Sequence, residues 1–172
     1  MQRTKWFERK FPVIDDSGIL PSVIERLDGT LIHIAEIISK TNAELLVAKP
    51  NDKWTIQEQV GHLVDLEPLW LGRVDDLTNG LMELRAADLS NQKTHNANHN
   101  ATDIKILLQQ FRKQRKFFVS RLRNLTDEQL LKSALHPRLK TPMMIIDLAF
   151  FVAEHDDHHL ADMHEIIHQN IL

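Results

Sequence analysis

Apolar residues along the chain recur in steps of three and four rather than alternating, and the pattern predicts four long helices. From Pro21, the residues Leu27, Leu31, Ile34 and Ile38 form one stripe, so a first helix is expected that ends before Pro50. Thr55 followed by Glu58 is a capping-box pair opening a second helix, on which Ile56, Val60, Leu63, Trp70 and Val74 share a face. Thr102 and Asp103 can cap a third helix with the stripe Ile104, Leu108, Phe111, Phe118 and Leu122. Thr126 and Gln129 repeat the capping-box pattern and open a short turn through Leu131, before the irregular run SALHPRLK. Thr141 ahead of Pro142 is the cap-plus-proline arrangement of a helix start, and the fourth helix is expected to run to about Gln169. Between helices two and three, the asparagine-rich segment Thr78 to Ala101 has only a weak helical pattern around Leu81 to Leu89, and reads as a long crossover, in part helical. No stretch alternates like a strand and no period of about 20 to 50 residues repeats. The expectation is an all-α four-helix bundle with a long crossover connection between helices two and three.

Composition narrows this picture. The 172 residues suit one domain over 1–172, and 42% apolar with 26% charged residues is ordinary for a soluble globular chain. Lys plus Arg is 21 against 24 for Asp plus Glu, so there is no electrostatic footprint for nucleic acid, and no nucleic-acid partner is expected. The absence of cysteine removes disulfides, thiolate metal sites, iron–sulfur clusters and a cysteine nucleophile together. The opening run MQRTKWFERKFPVID is charged throughout and reads as neither signal peptide nor transmembrane helix, so the expectation is a cytoplasmic protein without membrane contact. Few glycines suit helices; ten histidines raise the question of a metal.

In the fourth helix, Ile145, Leu148, Val152, His155, His159, Met163 and Ile166 follow one another in steps of three or four, which puts two histidines on the core-facing stripe. At i and i+4 two imidazoles project from one face and can converge on one ion; they can equally be core histidines satisfied by hydrogen bonds. His62, in the run VGHLVDLE, lies beside the apolar face of helix two, and a bundle can bring such a residue to a pair on a facing helix.

The runs KWTIQEQVGHLVDLE and HPRLKTPMMIIDLAFFVAEHDDHHLADM, with the opening WFERKF and the VIERLDGT start of helix one, resemble the DinB-like superfamily, in particular its YfiT-like branch of metal-dependent hydrolases. The resemblance spans most of the chain. It implies a four-helix bundle with a long crossover, a divalent metal on the positions matched by His62, His155 and His159, and frequent homodimerisation. Zinc or nickel suits such a set best, and iron or manganese is compatible with imidazole.

The other histidines divide. His158 points about 100° per residue away from its neighbours and is expected to flank the site or face outward. His164 and His168 read as a solvated last turn, His33 as a helix-flank residue, and His95 and His99 as surface histidines of the connection. His136, in an HP loop, either borders the pocket or closes a turn. Two charges interrupt apolar stripes and are the weak candidates for a catalytic role: Glu67 on helix two and Arg115 on helix three. They pair across the bundle, or serve the metal and a substrate anion, or snorkel to the edge. Asp156 and Asp157 either accept from a ligand imidazole or are solvated helix charges.

A metal on three histidines leaves a position for water with a pKa lowered toward neutrality, which makes hydrolysis of a small-molecule substrate the leading expectation. The resemblance also implies a thiol-transfer alternative, in which the metal activates a low-molecular-weight thiol such as bacillithiol, mycothiol or glutathione. A third reading is a bundle that binds metal or ligand without turnover.

Overall fold

A computed structural model describes residues 3–50 and 53–171. Its helices are α1 (Leu20–Lys40), α2 (Ala43–Val47), α3 (Ile56–Thr78), α4 (Gln92–Asn96), α5 (Ile104–Arg123), α6 (Asp127–Leu130) and α7 (Ile145–Ile171). Two-residue strands β1 (Ala134–Leu135) and β2 (Pro142–Met143) pair antiparallel between α6 and α7.

The capping chemistry sets most boundaries. Thr55 Oγ1 accepts from the Glu58 N–H at 3.0 Å while the Glu58 carboxylate accepts from the Thr55 N–H at 2.8 Å, and Thr126 with Gln129 closes the same box on α6. Asp103 caps α5 by accepting from the Lys105 N–H. Three expectations are corrected. The first predicted helix stops at Lys40: Thr41 turns extended, and Asn42 restarts the chain as α2 by accepting from the Leu45 N–H. The fourth helix starts at Ile145, not at Thr141 and Pro142, because Pro142 and Met143 are drawn into a strand pair too short to leave an alternating pattern; Asp147 caps the true start, accepting from the Met144 N–H at 2.8 Å. In the crossover, Leu81 to Leu89 contains no helix, Glu83 bridging Leu135 there. The helical parts lie later, in α4 and the 3-10 turn His99–Ala101, each preceded by an asparagine in the left-handed region, Asn91 at φ 53° and Asn98 at φ 49°.

The core is split in two. One cluster takes Leu20 to Leu27 of α1, Trp70 to Leu77 of α3, Phe118 to Leu122 of α5 and Ile145 to Ala153 of α7. The other takes the opposite halves: Ile34 and Ile37, Ile56 to Val64, Leu107 and Phe111, and Leu160 to Ile166. Hence α1 and α7 run one way, and α3 and α5 the other. Because α3 and α5 are parallel neighbours, the segment between them must return along the bundle, which is why the crossover is long.

Between the two apolar clusters lies a polar layer with one residue from each long helix: Thr30, Glu67, Arg115 and Asp156, all nearly inaccessible. Arg115 donates through Nε to Glu67 Oε1 at 2.9 Å, through Nη1 to the Leu27 carbonyl at 3.1 Å and to Asp156 Oδ2, and through Nη2 to Glu67 Oε1 at 2.5 Å and Asp156 Oδ1 at 3.1 Å. The Thr30 hydroxyl donates to Asp156 Oδ2 at 2.8 Å. Glu67 and Arg115 are therefore paired, and neither snorkels. Every guanidinium N–H is committed, so Arg115 has none for a substrate. Asp156 is neither solvated nor an acceptor for a histidine, because the layer uses both of its oxygens; Asp157 instead pairs with Arg26 at the edge. Glu67 Oε2 is buried with no partner among the described residues. Burial outweighs Arg115 there and raises the Glu67 pKa to about 6.

The crossover docks on α3 through two glycines about three turns apart. A Cβ on Gly61 would stand 2.2 Å from the His99 ring, and one on Gly72 would stand 2.0 Å from the Arg85 guanidinium. His99 then donates from Nε2 to Asp65 Oδ2 at 2.8 Å, and Arg85 pairs with Asp76. His99 is buried, which corrects its expected place on the surface.

Replacing Arg115 with methionine leaves two buried carboxylates facing each other and is expected to cost about 3–5 kcal/mol in urea unfolding at pH 7. Folded Glu67 keeps its proton up to about pH 6, whereas the unfolded side chain releases it near 4.5. Its contribution favours folding at low pH and is lost as pH rises through 6. Glu67→Gln should therefore gain about 1–2 kcal/mol over wild type at pH 7 and nothing below pH ~4.5. Gly61→Ala should destabilise by about 1–3 kcal/mol, with hydrogen exchange accelerating in the crossover first.

Candidate metal centre

The antiparallel packing of α3 against α7 brings His62 to His155 and His159. One ring nitrogen from each lies within 4.8 Å of the others, all three side chains are buried, and the His155 and His159 Nε2 atoms are 3.2 Å apart. Sequence spacing placed the α7 pair, and the fold adds the third member.

Hydrogen bonds behind the rings fix which nitrogen faces inward. His62 Nδ1 lies 3.0 Å from Thr94 Oγ1, and that hydroxyl donates to Asp65 Oδ2 at 3.0 Å, so the threonine oxygen accepts from His62 Nδ1–H and leaves Nε2 with its lone pair. His159 Nδ1 donates to Gln59 Oε1 in the same way. His155 Nδ1 has no hydrogen-bond partner among the described residues; its ring is held edge-on by Trp6 at 5.0 Å and Trp70 at 5.6 Å. Burial lowers the His62 pKa to about 4 and holds His155 and His159 well below the ordinary histidine value. At neutral pH the cluster is three uncharged imidazoles with lone pairs available. That donor set fits a divalent transition ion, since nothing must be deprotonated to form it.

The three rings border a cavity of about 350 Å³. Trp54 tilts over His62 at 4.5 Å and stacks on His159 at 6.1 Å, while Trp6 stacks on His158 at 5.6 Å. His158 thus flanks the cluster, as its position on the helix predicts. His136 does both things open to it: Nδ1 closes a turn by accepting from the Arg138 and Leu139 N–H groups, and the ring borders the cavity. His95 is exposed beside Trp54, and His33, His164 and His168 are exposed on their helices. Glu67 sits in the charged layer and is not among the residues lining the cavity.

Sequence reasoning did not pick out Gln59, Thr94, Asp65 or the cavity arginines Arg73 and Arg138. Gln59 had a usable signal, as an amide three residues before His62 and so on the same side of the helix. Thr94 had none, because its part depends on how the crossover folds back.

The chain matches a solved structure, YfiT from Bacillus subtilis, described as "a probable metal-dependent hydrolase with an unusual four-helix bundle topology". The two share 19% identity over 94% of this chain and 93% of that one, with a TM-score of 0.80, so the bundle architecture is common to both. No curated protein matches the sequence. The model of the DinB superfamily matches residues 24–163, and the chain belongs to that superfamily.

Proposed function

We propose that the protein is a metal-dependent hydrolase of a small-molecule substrate, with His62, His155 and His159 holding a divalent ion. The observation that carries this is the buried triad with two of its three rings oriented by hydrogen bonds from behind, Thr94 on His62 and Gln59 on His159. The description of YfiT as a probable metal-dependent hydrolase points the same way. A purely nitrogen, neutral donor set favours zinc or nickel over harder ions that prefer oxygen. Bound there, such an ion would supply Lewis-acid activation of water, with the pKa of that water drawn toward neutrality.

The chain's own residues prepare the site for this. Thr94 and Asp65 hold the His62 tautomer and place a carboxylate behind it, while Gln59 holds His159. Trp6, Trp54 and Trp70 restrict water around the rings and give the cavity an apolar body. The sequence has no cysteine to act as nucleophile, and in the metal-dependent reading the nucleophile comes from solvent or from a second substrate.

Protein purified without a histidine tag should carry close to one equivalent of metal by elemental mass spectrometry, and His62→Ala/His155→Ala/His159→Ala should carry none. Wild type that stays metal-free after incubation with zinc, nickel or manganese would remove the proposal. Ester and amide panels, run with and without low-molecular-weight thiols, then separate hydrolysis from thiol transfer. Gln59→Leu and Thr94→Val should each weaken zinc affinity about 10–100-fold in a chelator competition while leaving the helical circular dichroism unchanged.

A further inference from the structure

One wall of the cavity carries several hydrogen-bond donors that find no acceptor among the described residues. Arg73 is 1% exposed, and among the described residues no carboxylate lies within 4.0 Å of its guanidinium. Asp76, one turn along α3, is occupied by Arg85 through both oxygens. Arg73 Nε donates to the Arg85 carbonyl at 3.1 Å, and its Nη1 meets His136 Nε2 at 3.1 Å. That last contact is not a satisfied hydrogen bond. His136 Nδ1 already accepts from the N–H groups of Arg138 at 3.2 Å and Leu139 at 3.1 Å, so a neutral ring carries its proton on Nε2. Two donors, Arg73 Nη1–H and His136 Nε2–H, therefore face each other.

The same shortage recurs nearby. Arg138 Nη2 is buried without a partner among the described residues, its guanidinium lying 5.3 Å from the Phe7 ring and 5.9 Å from Phe151. Trp70 Nε1–H is likewise buried without an acceptor among them, with the Arg73 guanidinium 5.4 Å from its ring. All four residues line the cavity. Among the described residues the one acid lining it, Asp88, accepts from the N–H groups of Ser90 and Gln92 and from the Ser90 hydroxyl, and makes no ion pair with either arginine.

We infer that this wall is an oxyanion subsite, and that the cavity takes an amphipathic small molecule whose carboxylate or phosphate is held by Arg73, His136 and Arg138 while its apolar body lies among the tryptophans. An oxyanion accepts from both facing donors at once and supplies charge to two guanidinium groups that have no carboxylate of their own. Burial and the two arginines lower the His136 pKa to about 4, which keeps the ring a neutral donor at pH 7. The inference deepens the metal-dependent reading by naming a substrate class. It rests on that reading only in calling the bound acid a substrate.

All three tryptophans of the chain line the cavity, so binding can be followed by their fluorescence. The probes are cyclohexanecarboxylate, cyclohexyl phosphate and the neutral cyclohexanecarboxamide, each titrated into zinc-loaded and chelator-treated protein. Whichever anion binds tighter names the oxyanion. That anion should bind at least about tenfold tighter than the amide in both forms of the protein. Arg138→Gln should erase most of the preference with amide affinity unchanged, and Arg73→Gln should do the same where it folds. Equal binding of acid and amide, no binding of either, or a preference that survives Arg138→Gln would overturn the subsite. A preference present only with zinc would place the anion on the metal and overturn it equally. A preference that persists in metal-free protein while the metal stoichiometry fails would sink the hydrolase reading and leave the subsite standing.

Discussion

A guanidinium in the dry centre of a helical bundle, away from any cavity, costs least when every one of its N–H groups finds an acceptor, and the rest of this fold is arranged around that requirement. Arg115 draws its acceptors from three other helices: a carboxylate of α3, a carboxylate of α7 and a backbone carbonyl of α1. Apolar stripes alone would let four helices slide by a turn at modest cost. The Arg115 contacts do not, because a shift of one turn would strand two carboxylates in the core. The layer thus fixes the relative height of all four helices, and Asp156 is the immediate neighbour of His155. The height at which α7 presents its histidines to α3 is set by an ion pair on the adjacent face of the same helix.

The same logic governs the crossover. A segment of this length on a small domain would ordinarily be mobile, yet it carries Thr94, the residue that orients His62. It is held against α3 by two side chains seated on glycines: His99 over Gly61, bonded to Asp65, and Arg85 over Gly72, bonded to Asp76. Gly61 immediately precedes His62. The missing side chain there admits the histidine ring that anchors Asp65, and Asp65 anchors Thr94. A glycine in a helix interior usually costs stability relative to alanine; here that cost is met by the docking of the element that completes the site.

Much of this was legible in the sequence, for identifiable reasons. Helix faces are local and periodic, so the bundle, the long crossover and the α7 histidine pair could be read from spacing, and the Thr55 and Thr126 boxes from residue type. The misreadings fall where the outcome depends on a distant segment. Pro142 reads as a helix start until Ala134 and Leu135 claim it and Met143 as a strand. His99 reads as a surface histidine until Gly61 opens a place for it. Asp156 reads as solvated or as a ligand's acceptor until Arg115 takes both oxygens. Arg73 and Arg138 carried no sequence signal, because an arginine without a partner looks the same as one with a partner until the surrounding acids are placed.

Burial acts in opposite ways on the two sides of the cavity. It drives the titrating imidazoles to their neutral form, with His62 and His136 near 4, and so exposes lone pairs at the triad. It also lowers Arg73, but only to about 10, so that guanidinium stays charged at pH 7. One desolvated space therefore presents lone pairs from the triad and positive charge from its wall. The two demands are complementary, since buried donors and guanidinium charge on the wall suit an anion and the lone pairs of three neutral imidazoles suit a cation. Both sides open on a single cavity of about 350 Å³, so an anion on the wall and a cation on the triad would face one another across it.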